Sequence, residues 1–208
     1  MSFAITYDAY YAYYANYSIA SYLTEWSAAF GDVNHTAGNT QVGGNNTGGF
    51  YGGDTFIDGT QYAITSTQND FSALIAGGDL TYSLFTPPAH TLYGDLDTLS
   101  FGNVLQGGTT AGTTYSLAEP EVTFSGLDLS TDVANLTVSD RGVVHDVIYG
   151  LMSGQVQPLL TALTNAGIDI NASLDSLSFA TATSDAALSA DTVVDVVGVA
   201  ETADLLAA

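Results

Sequence analysis

The sequence predicts an α+β protein, one domain in which an antiparallel sheet packs on helices along one face. Apolar residues recur at helical spacing near the N-terminus, switch to a period of two between positions 61 and 129, and return to helical spacing after 142. Strands gathered in one block, with helices before and after, argue against the strand–helix alternation of a parallel sheet. At 208 residues the chain suits one domain, and a 46 % hydrophobic content gives it a core to bury.

The elements follow in order. The stretch YDAYYAYYANYS alternates loosely and reads as an opening strand or a sticky low-complexity arm. In SIASYLTEWSAAFG, Ile19, Leu23, Trp26 and Phe30 stand four, three and four apart, with Ser18 placed to cap the helix and Gly31 to end it. Positions 31–60 are rich in Gly, Asn, Thr and Asp and read as loops. QYAITST, DLTYSLF, HTLYGDLDTLSFG and EVTFSGLDL read as antiparallel strands joined by Gly- and Pro-bearing turns. GVVHDVIYGLMS, ending at Gly154, and PLLTALTNAG, running from Pro158 to Gly167, read as helices. NASLDSLSFA is a shorter helix, and the chain beyond about 184 has no firm period.

Charge excludes whole classes of function. Twenty-two acidic residues face a single Arg141 and no lysine, for a net charge of −21. Such a surface repels nucleic-acid phosphates and anionic lipid headgroups, so neither nucleic acid nor membrane insertion is expected. No apolar run is long enough to span a bilayer. The absence of cysteine rules out disulfides and thiolate metal sites. The N-terminus lacks the basic and apolar regions of a secretory signal peptide, so an export address is expected elsewhere. G-x-S-x-G, H-E-x-x-H and P-loop motifs are absent.

Histidine and tyrosine remain as carriers of chemistry. His35 lies in GDVNHTAGNT, a loop that offers an imidazole little to pack against. His90 follows a Pro-Pro turn, eight residues after Tyr82, so the two can meet at one strand end. His145 stands beside the apolar stripe of its helix and reads as a partly exposed helix residue. Two histidines and a tyrosine on loops and strand ends could ligate one metal. Zinc would want a further nitrogen or carboxylate, whereas a phenolate suits ferric iron and is a known haem ligand.

FGDVNHTAGN, GGFYGG, GTQYAI, IAGGDLTYSLF, PAHTLYGDLDTLSFG, GVVHDVIYGLMSG and the terminal LLAA together resemble the HasA-type hemophores of Gram-negative bacteria. The likeness runs in order over nearly the whole chain. It implies a single α+β domain at 1–184, a curved antiparallel sheet backed by helices, with haem between two loops at one edge. Residues 185–208 would form a tail carrying a type I secretion signal, with ADLLAA as its end. The resemblance places the axial ligands at His35 and Tyr82, and at His90 the histidine that supports the tyrosine. It places Tyr62, Leu84, Phe85, Leu92, Tyr93 and Met152 along the haem pocket. It further implies ferric haem b as cofactor and a secreted, extracellular monomer that is not an enzyme. Host haemoproteins would be the haem source, a TonB-dependent outer-membrane receptor the destination, and an ABC-type exporter the route out. A rim position that is basic or histidine in the family is Asp140 here, beside Arg141.

A chain at −21 cannot attract two haem propionates by net charge, so affinity must come from iron ligation and apolar contact. His90 would ease the loss of the phenolic proton, and the His35 loop would close after Tyr82 captures haem and lift for delivery. Two other classes compete: an acidic β-rich adhesin recognising partners through its Thr, Asn and Gly loops, and a metal-dependent hydrolase using the three histidines.

Overall fold

The computed structural model describes residues 3–30, 48–66, 71–108 and 112–177. Among these residues six antiparallel strands form one open sheet: β1 Ala4–Tyr7, β2 Gly49–Tyr51, β3 Asp58–Thr65, β4 Ser72–Ser83, β5 Thr91–Gly107 and β6 Tyr115–Thr131. Their spatial order is β1-β6-β5-β4-β3-β2. Strands β2 to β6 follow one another as a meander, and β1 closes the far side against β6 with Ile5 opposite Phe124. The helices are α1 Ile19–Phe30, α2 Gly142–Met152, α3 Gln157–Asn165 and the short α4 Leu174–Leu177. This is the α+β arrangement that the segregated periods predict.

The sheet is strongly curved. Gln61 on β3 exchanges two hydrogen bonds with the backbone of Tyr115 on β6: its Nε2 donates to the carbonyl at 3.0 Å, and its Oε1 accepts from the N–H at 2.8 Å. Two strands separate β3 from β6, which in a flat sheet would put them about 14 Å apart. A glutamine side chain closes that gap only because the sheet curls. Register shifts at Gly59/Gln61, Gly77/Gly78, Leu96/Thr98 and Phe101/Gly102 supply the bends.

The core lies between the sheet and the helices. Ile19, Tyr22, Leu23, Trp26 and Phe30 of α1 are buried, and Trp26 meets Phe101 edge-on at 4.9 Å. The cap is as the sequence predicts: Ser18 Oγ accepts from the Ser21 N–H at 3.1 Å, and Ser21 Oγ accepts from the Ser18 N–H at 2.9 Å. Val144, Val147, Ile148 and Leu151 of α2 and Leu159, Leu160 and Leu163 of α3 complete the core.

Two expectations need correction. The tyrosine-rich segment is neither a strand nor a loose arm: Ala9–Asn16 is 3₁₀-helical, with Asp8 accepting from the Tyr10 N–H at 2.8 Å. The backbone kinks at Tyr11 and is extended at Tyr17, and the rings of Tyr11, Tyr14 and Tyr17 line up in one column, stacked at 6.1 Å and edge-on at 5.2 Å between centroids. Tyr14 is buried on this column, while Tyr10 stays 82 % exposed. Strand β4 also starts at Ser72, well before the expected Asp79. Its first five residues are all buried, so they show no alternation, and Gly77-Gly78 is a bulge within the strand where the sequence suggests a turn.

Candidate functional site

Tyr82 stands one residue before the end of β4, directly opposite Leu92 on β5. Its backbone N–H donates to the Ile57 carbonyl at 2.8 Å, which fixes the strand end against the chain leading into β3. The phenol is half-buried and packs against the core. Its hydroxyl lies 3.0 Å from Nδ1 of His90, at the far side of the 84–90 turn. When the phenol donates to this contact, the proton of a neutral His90 ring sits on Nε2. His90 is exposed and has φ 58°, a left-handed conformation uncommon outside glycine. Its own N–H donates to the Ser83 carbonyl at 2.6 Å, closing the turn.

Tyr82 and His90 head a cleft of about 340 Å³ between the sheet edge and α2. Phe50, Tyr62, Leu84 and Leu92 form the sheet wall, Phe56 and Ile57 come from the β2–β3 connection, and His145, Ile148, Tyr149 and Met152 form the α2 wall. Phe50 links the aromatic residues, its ring centroid 4.8 Å from Tyr62 and 6.2 Å from Tyr82. Gly48 passes over Tyr62 so closely that a Cβ there would fall 2.1 Å from the phenolic oxygen. The imidazole of His145 stacks on Tyr149, the rings 5° from parallel with centroids 5.5 Å apart.

Burial sets the electrostatics. It pushes the Tyr82 phenol above its ordinary pKa, against a smaller opposing effect of the Arg141 guanidinium. It pushes Tyr62 up as well, reinforced by the neighbouring Tyr82 and Tyr51. His145 moves the other way, lowered to about 4 by burial and by Arg141. The neutral ring has a structural partner, since its Nδ1 accepts from the Leu92 N–H at 3.3 Å.

The structure therefore brings Tyr82, His90, Tyr62, Leu84, Leu92 and Met152 to one cleft. Phe85 is 83 % exposed beyond the strand end, and neither it nor Tyr93 is on the cleft wall. His35 lies outside the described residues, as do Gly31 and the tail 185–208. His145 is a correction: it is buried rather than partly exposed. It belongs to a second stripe of α2, residues 145, 148, 149 and 152, at spacings of three, one and three. That pattern is visible in the sequence, but the stronger Val144, Val147 and Leu151 stripe masks it. Phe56 and Ile57 carry no comparable signal because the β2–β3 connection brings them to the cleft, and Phe50 lies on a strand of three residues, too short to show alternation. Asp140 stays with its own helix, its carboxylate accepting from the Gly142 N–H at 3.1 Å. Among the described residues no three histidine or carboxylate side chains gather to hold a metal ion, and no helix is long and apolar enough to cross a membrane.

An aromatic-walled cleft headed by a hydrogen-bonded tyrosine, at the edge of an open antiparallel sheet, defines an α+β ligand-binding protein. Flat, apolar walls suit a planar aromatic ligand, and a tyrosine with a proton acceptor suits a hard metal at its centre. Residues 1–208 match the family described as heme-binding protein A (HasA), and the chain belongs to that family. The chain is 50 % identical to the hemophore HasA of Serratia marcescens over 186 residues, covering 88 % of this chain and 93 % of the relative. The holo form of hemophore HasA from Yersinia pestis superposes with a TM-score of 0.73 at 35 % identity, over 88 % of this chain and 99 % of that one. A hexagonal apo form of the same Yersinia pestis protein gives 0.73 at 36 % identity, with the same coverage.

Proposed function

We propose that this protein is a hemophore, which binds ferric haem b in the Tyr82 cleft and carries it without transforming it. The Tyr82–His90 contact carries the reading: a half-buried phenol at a cleft mouth, with an imidazole nitrogen 3.0 Å away to accept its hydrogen bond. Ferric iron, when haem is bound, supplies the positive charge that favours the phenolate. His90 Nδ1 would accept the hydrogen bond of the Tyr82 hydroxyl and ease the loss of its proton to solvent when haem binds. Tyr62, Leu84, Leu92 and Met152 would exclude water from bound haem, and their neighbours Phe50, Ile148 and Tyr149 would do the same. His35, outside the described residues, is proposed as a second residue that would ligate the iron.

The same reading makes residues 1–184 the haem-carrying domain and 185–208 an export tail. The protein would be a secreted monomer, exported by an ABC-type transporter, robbing host haemoproteins and serving a TonB-dependent receptor. Family membership at 50 % identity to a hemophore supports the carrier role. Titrating the purified chain with hemin tests it. One equivalent should saturate a ferric haem spectrum, and Tyr82→Ala should abolish that tight end point. Uptake without stoichiometry, equal in the variant, would sink the reading.

A further inference from the structure

Arg141 is the chain's only lysine or arginine, and it serves backbone. Its Nη1 donates to the Ala89 carbonyl at 3.0 Å and to the His90 carbonyl at 2.7 Å, with Thr91 Oγ1 at 3.4 Å. Four residues on, His145 Nδ1 accepts from the Leu92 N–H. These groups belong to the start of β5 and the turn before it. On one side β5 pairs with β4, through Ser83 opposite Thr91 and Tyr82 opposite Leu92. On the other side its β6 partner begins only at Gly94 opposite Thr131. The backbone at 89–92 thus runs past the end of β6. Two side chains of the α2 region take the place of the missing strand, one donating and one accepting.

Helix α2 is fixed for this task. Thr131, the last residue of β6, accepts from the Val144 N–H at 3.1 Å through its hydroxyl. Gly142, at φ +81°, approaches Thr131 so closely that a Cβ would fall 2.3 Å from its methyl group. The last residue of β6 and the first turn of α2 are therefore joined, and Arg141 and His145 take their aim from that joint.

The consequence falls on His90. A left-handed φ is unfavourable for a residue with a Cβ, so the conformation persists only where neighbours hold it. His90 is held from both sides, its N–H by Ser83 and its carbonyl by Arg141. In that conformation its Nδ1 meets the Tyr82 hydroxyl. We propose that Arg141, seconded by His145, is a positioning residue that completes the β5 edge and so holds His90 against Tyr82. The geometric part stands on the chain alone; the effect on haem affinity rests on Tyr82 being the ligand.

The test has a readout on each side of that division. In the haem-free protein, nitrogen NMR of His90 should show Nδ1 as a hydrogen-bond acceptor with the proton on Nε2. Arg141→Met should shift that signal toward mixed tautomers, and Arg141→Lys should restore it in part. If Arg141→Met does not fold, Arg141→Gln, which lacks the reach, gives the same comparison. In hemin titrations Arg141→Met should lose about tenfold in affinity, the scale of one hydrogen bond. In a His90→Ala background the same change should cost less than about twofold, because the effect runs through His90. An unchanged His90 signal, or equal losses in the two backgrounds, would overturn the proposal; the latter would mean that Arg141 acts on Tyr82 by charge alone. A wild-type chain that takes up no hemin would defeat the hemophore reading only, and the NMR comparison would still decide this one.

Discussion

The hydroxyl of Tyr82 and Nδ1 of His90 lie 3.0 Å apart across a turn whose two strands are in register up to Ser83 and Thr91. The pair is held by backbone, not by chance rotamers: Tyr82 through Ile57, His90 through Ser83 and Arg141. Preorganisation of this kind matters because a phenol is a poor metal ligand until it loses its proton. A neighbour already placed to accept the hydroxyl's hydrogen bond removes the need to reorganise on binding.

Tyr82 should therefore carry more haem affinity than any other single side chain. Tyr82→Phe keeps the ring in the cleft and deletes the donor oxygen. Its hemin affinity should fall by more than about a hundredfold, above the range usual for residues that only support a ligand. Tyr93→Phe is the control, since Tyr93 is off the cleft wall; comparable losses in the two variants would refute the assignment.

Affinity should rise with pH. Burial pushes the Tyr82 phenol above its ordinary value, so the haem-free protein keeps that proton throughout the neutral range. Binding as phenolate releases it, and a proton released on binding makes affinity increase by up to about tenfold per pH unit. Hemin titrations between about pH 6 and 8 should show that slope. His90→Ala, lacking the acceptor, should lose haem at a higher pH than wild type on acidification. Coincident release curves would show that His90 gives the tyrosine no support.

What the sequence discloses follows the range of each interaction. Helix α1 is legible because its spacing and its Ser18 cap are local. The Tyr82–His90 pair is legible because eight residues and a Pro-Pro turn leave the strand ends little choice but to meet. His145 is misjudged because it is buried against the sheet and its hydrogen-bond partner, the Leu92 N–H, lies 53 positions away in sequence. The start of β4 is missed because a strand buried on both faces loses the alternation that marks strands. Phe50 reaches the cleft from β2, a strand of three residues too short to show alternation, and Phe56 from the β2–β3 connection, whose path no local pattern encodes.

Gly142→Ala should destabilise the fold by about 2 kcal/mol, combining the left-handed backbone penalty with overpacking against Thr131. Gly167→Ala separates the two causes. Its φ is +83°, close to that of Gly142, but a Cβ there meets nothing within 4 Å. Denaturant midpoints should fall further for Gly142→Ala than for Gly167→Ala. Equal shifts would mean that the α2–β6 joint is looser than the structure has it.

His145 should make the fold acid-sensitive in a defined window. Its pKa is near 6.5 in the unfolded chain and lowered to about 4 in the folded protein by burial and Arg141. The unfolded state therefore binds this proton first, and stability falls as pH drops from about 6.5 toward 4. Above that window the ring is neutral in both states and contributes no pH dependence. The full loss is at most about 3 kcal/mol, the equivalent of the shift in pKa. His145→Asn can still offer an oxygen to the Leu92 N–H but has no proton to gain. Glu121, pushed up chiefly by burial, changes stability in the opposite sense, so the wild-type curve alone is not diagnostic. The difference between wild type and His145→Asn isolates the imidazole. Unfolding free energies measured from pH 7 to 4 should converge on the neutral side and diverge on the acid side, with the variant the more stable there. Parallel curves would show that His145 does not titrate in this window, and that burial and Arg141 do not lower its pKa in the folded protein.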